Sequence, residues 1–456
     1  MKKVWAVARN TLAGALRMKI AVVVIVLLAA LLPMMSLVMG GDGTLLGKLQ
    51  TFSSYSLGLV GFMLCILTIA VSCFTLSDEI RCKQIFLTIT KPIARWQILL
   101  GKFLGIIILD VVLLFVFAAL VYGLTCMIPY VVEASPQERL AAQNEFFTAR
   151  EGLKIQEDKD QLNKRVEERY LQLQKERRLP ESMTQTEIMI QLVNEERTRE
   201  QSINPGQSRQ WDFHGVCPST DPNTMIFVRF KYDATAAAPD GKVYGLWSVG
   251  DLPRYAQGAL TTPIYNVSLS APTRVAQEFE IPAAAVTQEG DLSVGFLNSP
   301  QLNFSTVVIQ DMEVLYKVGT FTNNYCRALL LLLIRLVFLA ALGITLTTWL
   351  SFPVAVLASI AVFMPSLFHV FIMGAIDSFG MAWIQTIYVL TIRPILILMP
   401  RFGGDFSPTE FLIAGRVING WFLLKAIGEM VAIKSTLLLL LGMLVFRMRE
   451  VAKAAV

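Results

Sequence analysis

The chain has only two histidines, His214 and His369, and no CxxC pair among its six cysteines, so the usual zinc and dithiol arrangements are excluded. It also lacks GxSxG, HExxH and phosphate-loop sequences, and no carboxylate pair stands out as an acid and base. The nearest approach is GGDGTLLGK, where Asp42 occupies the first required glycine and Leu49 the required Ser or Thr. Charge is scarce: 16% of residues are charged and the net charge is +5. Lys and Arg sit beside apolar runs, and no basic patch supports nucleic-acid binding. What is abundant is apolar sequence, at 54% with a mean hydropathy of +0.55. This is the composition of a membrane protein with a soluble part attached.

Two long apolar runs, Tyr55 to Leu76 and Ile98 to Ile128, are each long enough to cross about 30 Å of hydrocarbon. Between them lies SDEIRCKQIFLTITKPIARWQILLGK, residues 77–102. It carries Arg81, Lys83, Lys91, Arg95 and Lys102, an excess that keeps a short loop cytoplasmic. Ile80, Ile85, Phe86 and Ile89 recur at helical spacing, away from Asp78, Glu79, Arg81 and Lys83, which describes an amphipathic helix. Lys91-Pro92 ends it, because the residue before proline is pushed out of the helical region.

The acidic-basic opening, the apolar helix and Lys91-Pro92-x-x-Arg95-Trp96-Gln97-Ile98-x-x-Gly101-Lys102 together resemble the cytoplasmic loop of ABC type-2 exporter permeases. The resemblance covers about 1–128 and 327–456. It implies a coupling element that touches a separate P-loop ATPase subunit, with Glu79 and the helix through Leu87 docking there. It also implies ATP and magnesium in that partner, no cofactor in this chain, no enzymatic activity of its own, a second permease copy or homologue, and a bacterial inner membrane. The other reading of the loop is an ordinary basic connection obeying the charge rule.

The expected fold is an α-helical polytopic membrane protein with six spans, both termini cytoplasmic, and an inserted extracytoplasmic helical hairpin and all-β sandwich. Residues 1–128 hold an amphipathic helix over 1–19, rich in Lys and Arg, and the first three spans, beginning with Ile20 to Met39. Residues 129–205 read as the hairpin. Ser135-Pro136-Gln137-Glu138 and Thr184-Gln185-Thr186-Glu187 are capping boxes that predict helices over 137–178 and 184–201. Leu162, Val166, Tyr170 and Leu173 make a coiled-coil-like apolar seam on the first, which would project about 60 Å. Residues 206–320 alternate apolar and polar residues between Pro, Gly, Asn and Asp, as strands of a sandwich do. The pattern of Trp211, Phe213, Phe279, Ile281 and the 290–298 run resembles galactose-binding-like jelly rolls. An external protein or glycan is therefore a possible partner, although Trp247, Tyr255 and Tyr265 suit a core better than a sugar site.

Residues 321–456 supply the remaining spans, Arg327 to Leu350, Val354 to Ile376 and Leu423 to Phe446. The apolar segment at 381–400, broken by Arg393-Pro394, dips from the outer face if both termini are inside; a seventh span is the alternative. Glu429 and Lys434 either snorkel or pair locally. Cys65, Cys73 and Cys126 lie in apolar runs as small hydrophobes, whereas Cys217 and Cys326 both fall on the outer side, where a bridge is an open alternative. Asp110 and Arg335 lie at about 15 Å and 12 Å along their spans, at depths that nearly coincide. A lone charge there costs about 3 kcal/mol, so an Asp110–Arg335 ion pair is the expected remedy. A second functional reading is a membrane-anchored scaffold or mechanotransmitter through which nothing passes.

Overall fold

The computed structural model describes residues 2–81, 94–155, 159–176, 185–218, 224–235, 241–259, 262–377 and 399–448. The chain forms two compact units, 1–149 with 319–456, and 150–318.

The first unit is helical, and five of its helices are long and apolar enough to cross a membrane. They are α2 (Lys19–Val38), α3 (Leu45–Arg81), α4 (Arg95–Val131), α9 (Phe321–Thr347) and α13 (Gly420–Met448). The chain is thus mostly helical, with five potential spans and a β-sheet region. Both α3 and α4 have 37 residues, about 55 Å at the helical rise, so they overrun the apolar runs that announce them. The short connection expected over 40–54 is accordingly shorter still. Asp42 Oδ1 accepts from the Thr44 amide at 3.0 Å and its hydroxyl at 2.6 Å, and Thr44 in turn accepts the Gly47 amide. That turn starts α3 ten residues before Tyr55.

Helix α1 (Lys2–Leu16) buries Val4, Ala8, Thr11 and Ala15. Its seat is Gly101 and Gly105, one turn apart on α4. A Cβ on Gly101 would fall 2.6 Å from that of Val7, and one on Gly105 would fall 2.6 Å from the Ala8 carbonyl oxygen. Small residues four apart let two backbones approach, and here they fix α1 along α4. Trp5, by contrast, is 62% exposed on the opposite face.

The Val354 to Ile376 span is not one helix. It divides into α10 (Phe352–Leu367), with Pro365 in its last turn, and α11 (His369–Asp377). Proline removes one helix-internal donor, and Phe368 breaks the run between the two pieces. Residues 381–398 of the expected dipping segment lie outside the described residues.

The second unit takes in residues of both the expected hairpin and the expected sandwich. The expected helix over 137–178 is replaced. The Ser135 capping box forms as read, with Glu138 closing it at 2.8 Å, but α5 (Pro136–Glu145) ends after ten residues. Phe146 is fully buried, stacked edge-on against Phe147 and packed on Phe321. Burial of these rings overrides the helical period, and the chain continues as β1 (Thr148–Lys154). Helices α6 (Lys159–Lys175) and α7 (Gln185–Gln201) then pair through Leu162, Val166, Ile188 and Leu192, which is the expected seam on a shorter scaffold.

Two sheets follow. With the two-residue β2 (Ser202–Ile203) set aside, the strands are β3 (Ser208–His214), β4 (Met225–Ala234), β5 (Lys242–Gly250), β6 (Tyr265–Pro272), β7 (Ala276–Pro282), β8 (Asp291–Leu297) and β9 (Val307–Thr320). One sheet runs β1-β9-β4-β7 and the other β3-β8-β5-β6, the winding of a jelly roll. Inward residues alternate along each strand and meet in one aromatic core of Trp211, Phe230, Tyr232, Trp247, Phe279 and Phe296. Trp247 Nε1 donates to Tyr232 Oη at 2.9 Å, so a buried indole is satisfied and Trp247 is core. A Cβ on Gly245 would fall 2.0 Å from that hydroxyl, which leaves glycine the only fit. Of the other ring candidates, Tyr255 is 55% exposed, whereas Tyr265 packs at the core edge.

On the outer face His214 pairs across β3 and β8 with Asp291, Nδ1 to Oδ1, at 2.7 Å. The hydrogen bond and then the charge of Asp291 hold the imidazole pKa above its ordinary value. Folding therefore gains from this pair below about pH 6.5, and the gain is lost as pH rises through the raised value. In an NMR titration of the whole chain, Asp291→Asn is expected to move the His214 midpoint down to the ordinary range; an unchanged midpoint would contradict the assignment.

Candidate functional site

The loop predicted to carry function is anchored at both ends by side chains of its own flanking helices. Ile85, Phe86, Lys91 and Pro92 lie outside the described residues, but Asp78, Glu79, Arg81, Arg95, Trp96 and Lys102 are in place. Glu79, near the end of α3, meets the ammonium of Lys102 on α4 at 2.8 Å. The Lys102 side chain is only 2% exposed, and its Nζ also donates to the Thr75 carbonyl at 3.0 Å. A buried ammonium is costly unless its donors are engaged, so α3 and α4 are held together where the 82–93 connection begins and ends. Glu79, expected to face a partner, is thus turned inward. Removal of one member from a fully buried pair costs about 3–5 kcal/mol, and the partial exposure of Glu79 places this pair below that range.

Arg95 opens α4 and reaches across to the end of α13, donating from Nη1 to the carbonyls of Phe446 at 3.1 Å and Arg447 at 3.0 Å. Both carbonyls belong to the last three described residues of α13, and the guanidinium ties the start of α4 to them. Ala94 precedes the helix, its amide donating to Gln97 Oε1. Trp96 is 50% exposed, and Asp78 binds Arg81 at 3.0 Å along one surface of α3. Beside them a cavity of about 620 Å³ is lined by Phe74, Ser77, Asp78, Trp349 and Phe352. The 94–102 run therefore grips three elements: Arg95 holds α13, Gly101 seats α1 and Lys102 holds α3.

The expected Asp110–Arg335 pair does not form. Asp110 Oδ1 accepts from Thr68 at 2.9 Å, while its Oδ2 is buried without a hydrogen-bond partner. Arg335 Nη2 donates to the carbonyls of Phe402 and Phe406, at 2.5 Å each, with its guanidinium 5.7 Å from the Phe402 ring centre. Matching depth is thus not matching direction. The segment after 399 presents bare carbonyls to Arg335, whereas a hydroxyl one helix away reaches Asp110. That segment is held by the Phe402 amide donating to Ser366 O. It has no room for side chains at Gly403 and Gly404, where a Cβ would fall 2.4 Å from Leu367 O and from Val370.

Two features escaped sequence reasoning. One is the Arg95 tie to α13, whose partner lies 351 residues away with no local signal. The other is the π-helical stretch Ile427–Ser435 within α13, where Glu429 and Lys434 pair at 2.8 Å. Their five-residue spacing is one π turn, and Lys434 also donates to Met399 O at 3.2 Å. Of the two alternatives for this pair, local pairing is the one present. Cys217 and Cys326 are both free.

The chain matches no protein-family model, no curated protein and no solved structure.

The Glu79–Lys102 brace makes a double-mutant cycle decisive. Glu79→Gln leaves the buried Lys102 without its ion-pair partner, so it should lower the melting temperature of the full chain in detergent more than Glu79→Gln with Lys102→Met does. Additive losses would mean that the two side chains act independently.

Proposed function

We propose that this chain is the permease subunit of an ABC-type exporter, in which the 82–93 connection receives force from a separate P-loop ATPase. ATP and magnesium belong to that partner, and a second permease copy or homologue completes the assembly. In this reading the membrane is a bacterial inner membrane, there are six spans with both termini inside, and 129–326 lies outside the cytoplasm.

The observation that carries the proposal is the way the connection is mounted. Lys102 and Glu79 close its base, Arg95 ties its exit to the end of α13, and Gly101 seats α1 against the same turn. In this reading a push on the connection meets these three contacts first. It is delivered to α1, α3, α4 and α13 together, which is what a coupling element requires. The integral-membrane character of five helices supports the same reading.

A second reading, a mechanotransmitter or anchored scaffold with no transported substrate, has one observation in its favour. Asp110 and Arg335 have separate partners and do not join into one charged lane through the helices. Movement of the external domain would then be the output.

Affinity purification of the tagged full chain tests the proposal. A P-loop ATPase should accompany the wild type and be lost from an Ile85→Ala, Phe86→Ala variant that leaves the Glu79 brace intact. A chain that purifies alone, after cross-linking too, would sink the coupling reading and leave the scaffold.

A further inference from the structure

A cavity of about 660 Å³ lies among α3, α9, α10, α11 and the 402–410 segment. Its walls are mainly apolar, with Leu57, Phe62, Leu332, Phe363, Phe368 and Phe371 among them. This volume is within the range of small-molecule sites. Gly58 also lines it, and a Cβ there would meet nothing within 4 Å, so the empty space reaches the α3 backbone.

One cation faces this space. Among the described lining residues the charged groups are Arg335 and Glu410. A guanidinium has five N–H donors. Two, on Nη2, are engaged by the Phe402 and Phe406 carbonyls. Among the described residues nothing accepts from Nε or Nη1, which leaves three donors of a fixed positive charge beside an apolar cavity. Open donors of a cation among helices of this hydropathy are costly, and an anion that brings its own apolar body removes the cost. Arginine is well suited to phosphate oxygens. Glu410 sits at an exposed position of the same lining, and its negative charge disfavours a multiply charged headgroup.

We propose that this cavity binds a phosphodiester amphiphile, with the phosphate on the free N–H groups of Arg335 and an acyl chain among the phenylalanines. The two carbonyls on Nη2 hold the guanidinium in position, and the close fit of Gly403 and Gly404 against α10 and α11 fixes those carbonyls. The site stands apart from the exporter reading, because lipid retention is a property of this chain with or without an ATPase.

Native mass spectrometry of the delipidated full chain in detergent tests it, with phosphatidylglycerol, phosphatidylethanolamine, diacylglycerol and inorganic phosphate as separate probes. Both phospholipids should be retained at about one per chain, and about tenfold more tightly than diacylglycerol, which has the chains without the phosphate. Inorganic phosphate should not displace them. Gly58→Phe puts a ring into the cavity from the open α3 backbone and leaves Arg335 unchanged in sequence, and it should weaken retention about tenfold with an unchanged melting temperature. Equal binding of diacylglycerol, displacement by phosphate alone, or undiminished retention by Gly58→Phe in the folded chain would each overturn the proposal.

Discussion

Lys102 places a full positive charge inside a helical bundle, and the helices around it are arranged to answer that charge. Its side chain reaches Glu79 and the Thr75 carbonyl on α3, so the two 37-residue helices that flank the 82–93 connection are locked in register where they would otherwise splay. One residue earlier, Gly101 admits the backbone of α1, and six residues before that, Arg95 donates to two carbonyls of α13. A single nine-residue stretch thus sets four helices against each other by three different means: an ion pair, a close backbone contact and a side-chain hydrogen bond to backbone carbonyls.

Much of this was legible in the sequence, and the limits have physical causes. Apolar runs announced all five long helices because their length and hydropathy are properties of the segment alone. Strands of the sandwich were legible for the same reason, since alternation is local, and Trp247 was readable as core. The helix expected over 137–178 failed at Phe146 and Phe147, where burial against Phe321 outweighs local helical preference. Capping chemistry at Ser135 told where that helix starts but not where it stops.

The candidate site was less legible than the fold. The positions 79, 95, 101 and 102 were singled out, yet their roles depend on partners that the sequence does not place nearby. Glu79 faces inward because a lysine 23 positions along requires it, and Arg95 reaches α13 because the fold sets carbonyls 351 residues away beside it. The Asp110–Arg335 expectation used depth alone, which ignores both the direction of a side chain around its helix and the free carbonyls of a nearby irregular segment. Those carbonyls decided where Arg335 points.

The central claim is that the helix ends around the 82–93 connection move as one body because Arg95 and Lys102 bind them. The most direct measurement is the distance distribution between spin labels at Trp96→Cys and Met448→Cys, both exposed positions, in a chain freed of its native cysteines. The account predicts one narrow distribution that broadens on Arg95→Ala and is unaffected by Arg81→Ala, whose side chain lies on the surface. A broad distribution in the parent chain, or one indifferent to Arg95→Ala, would contradict it.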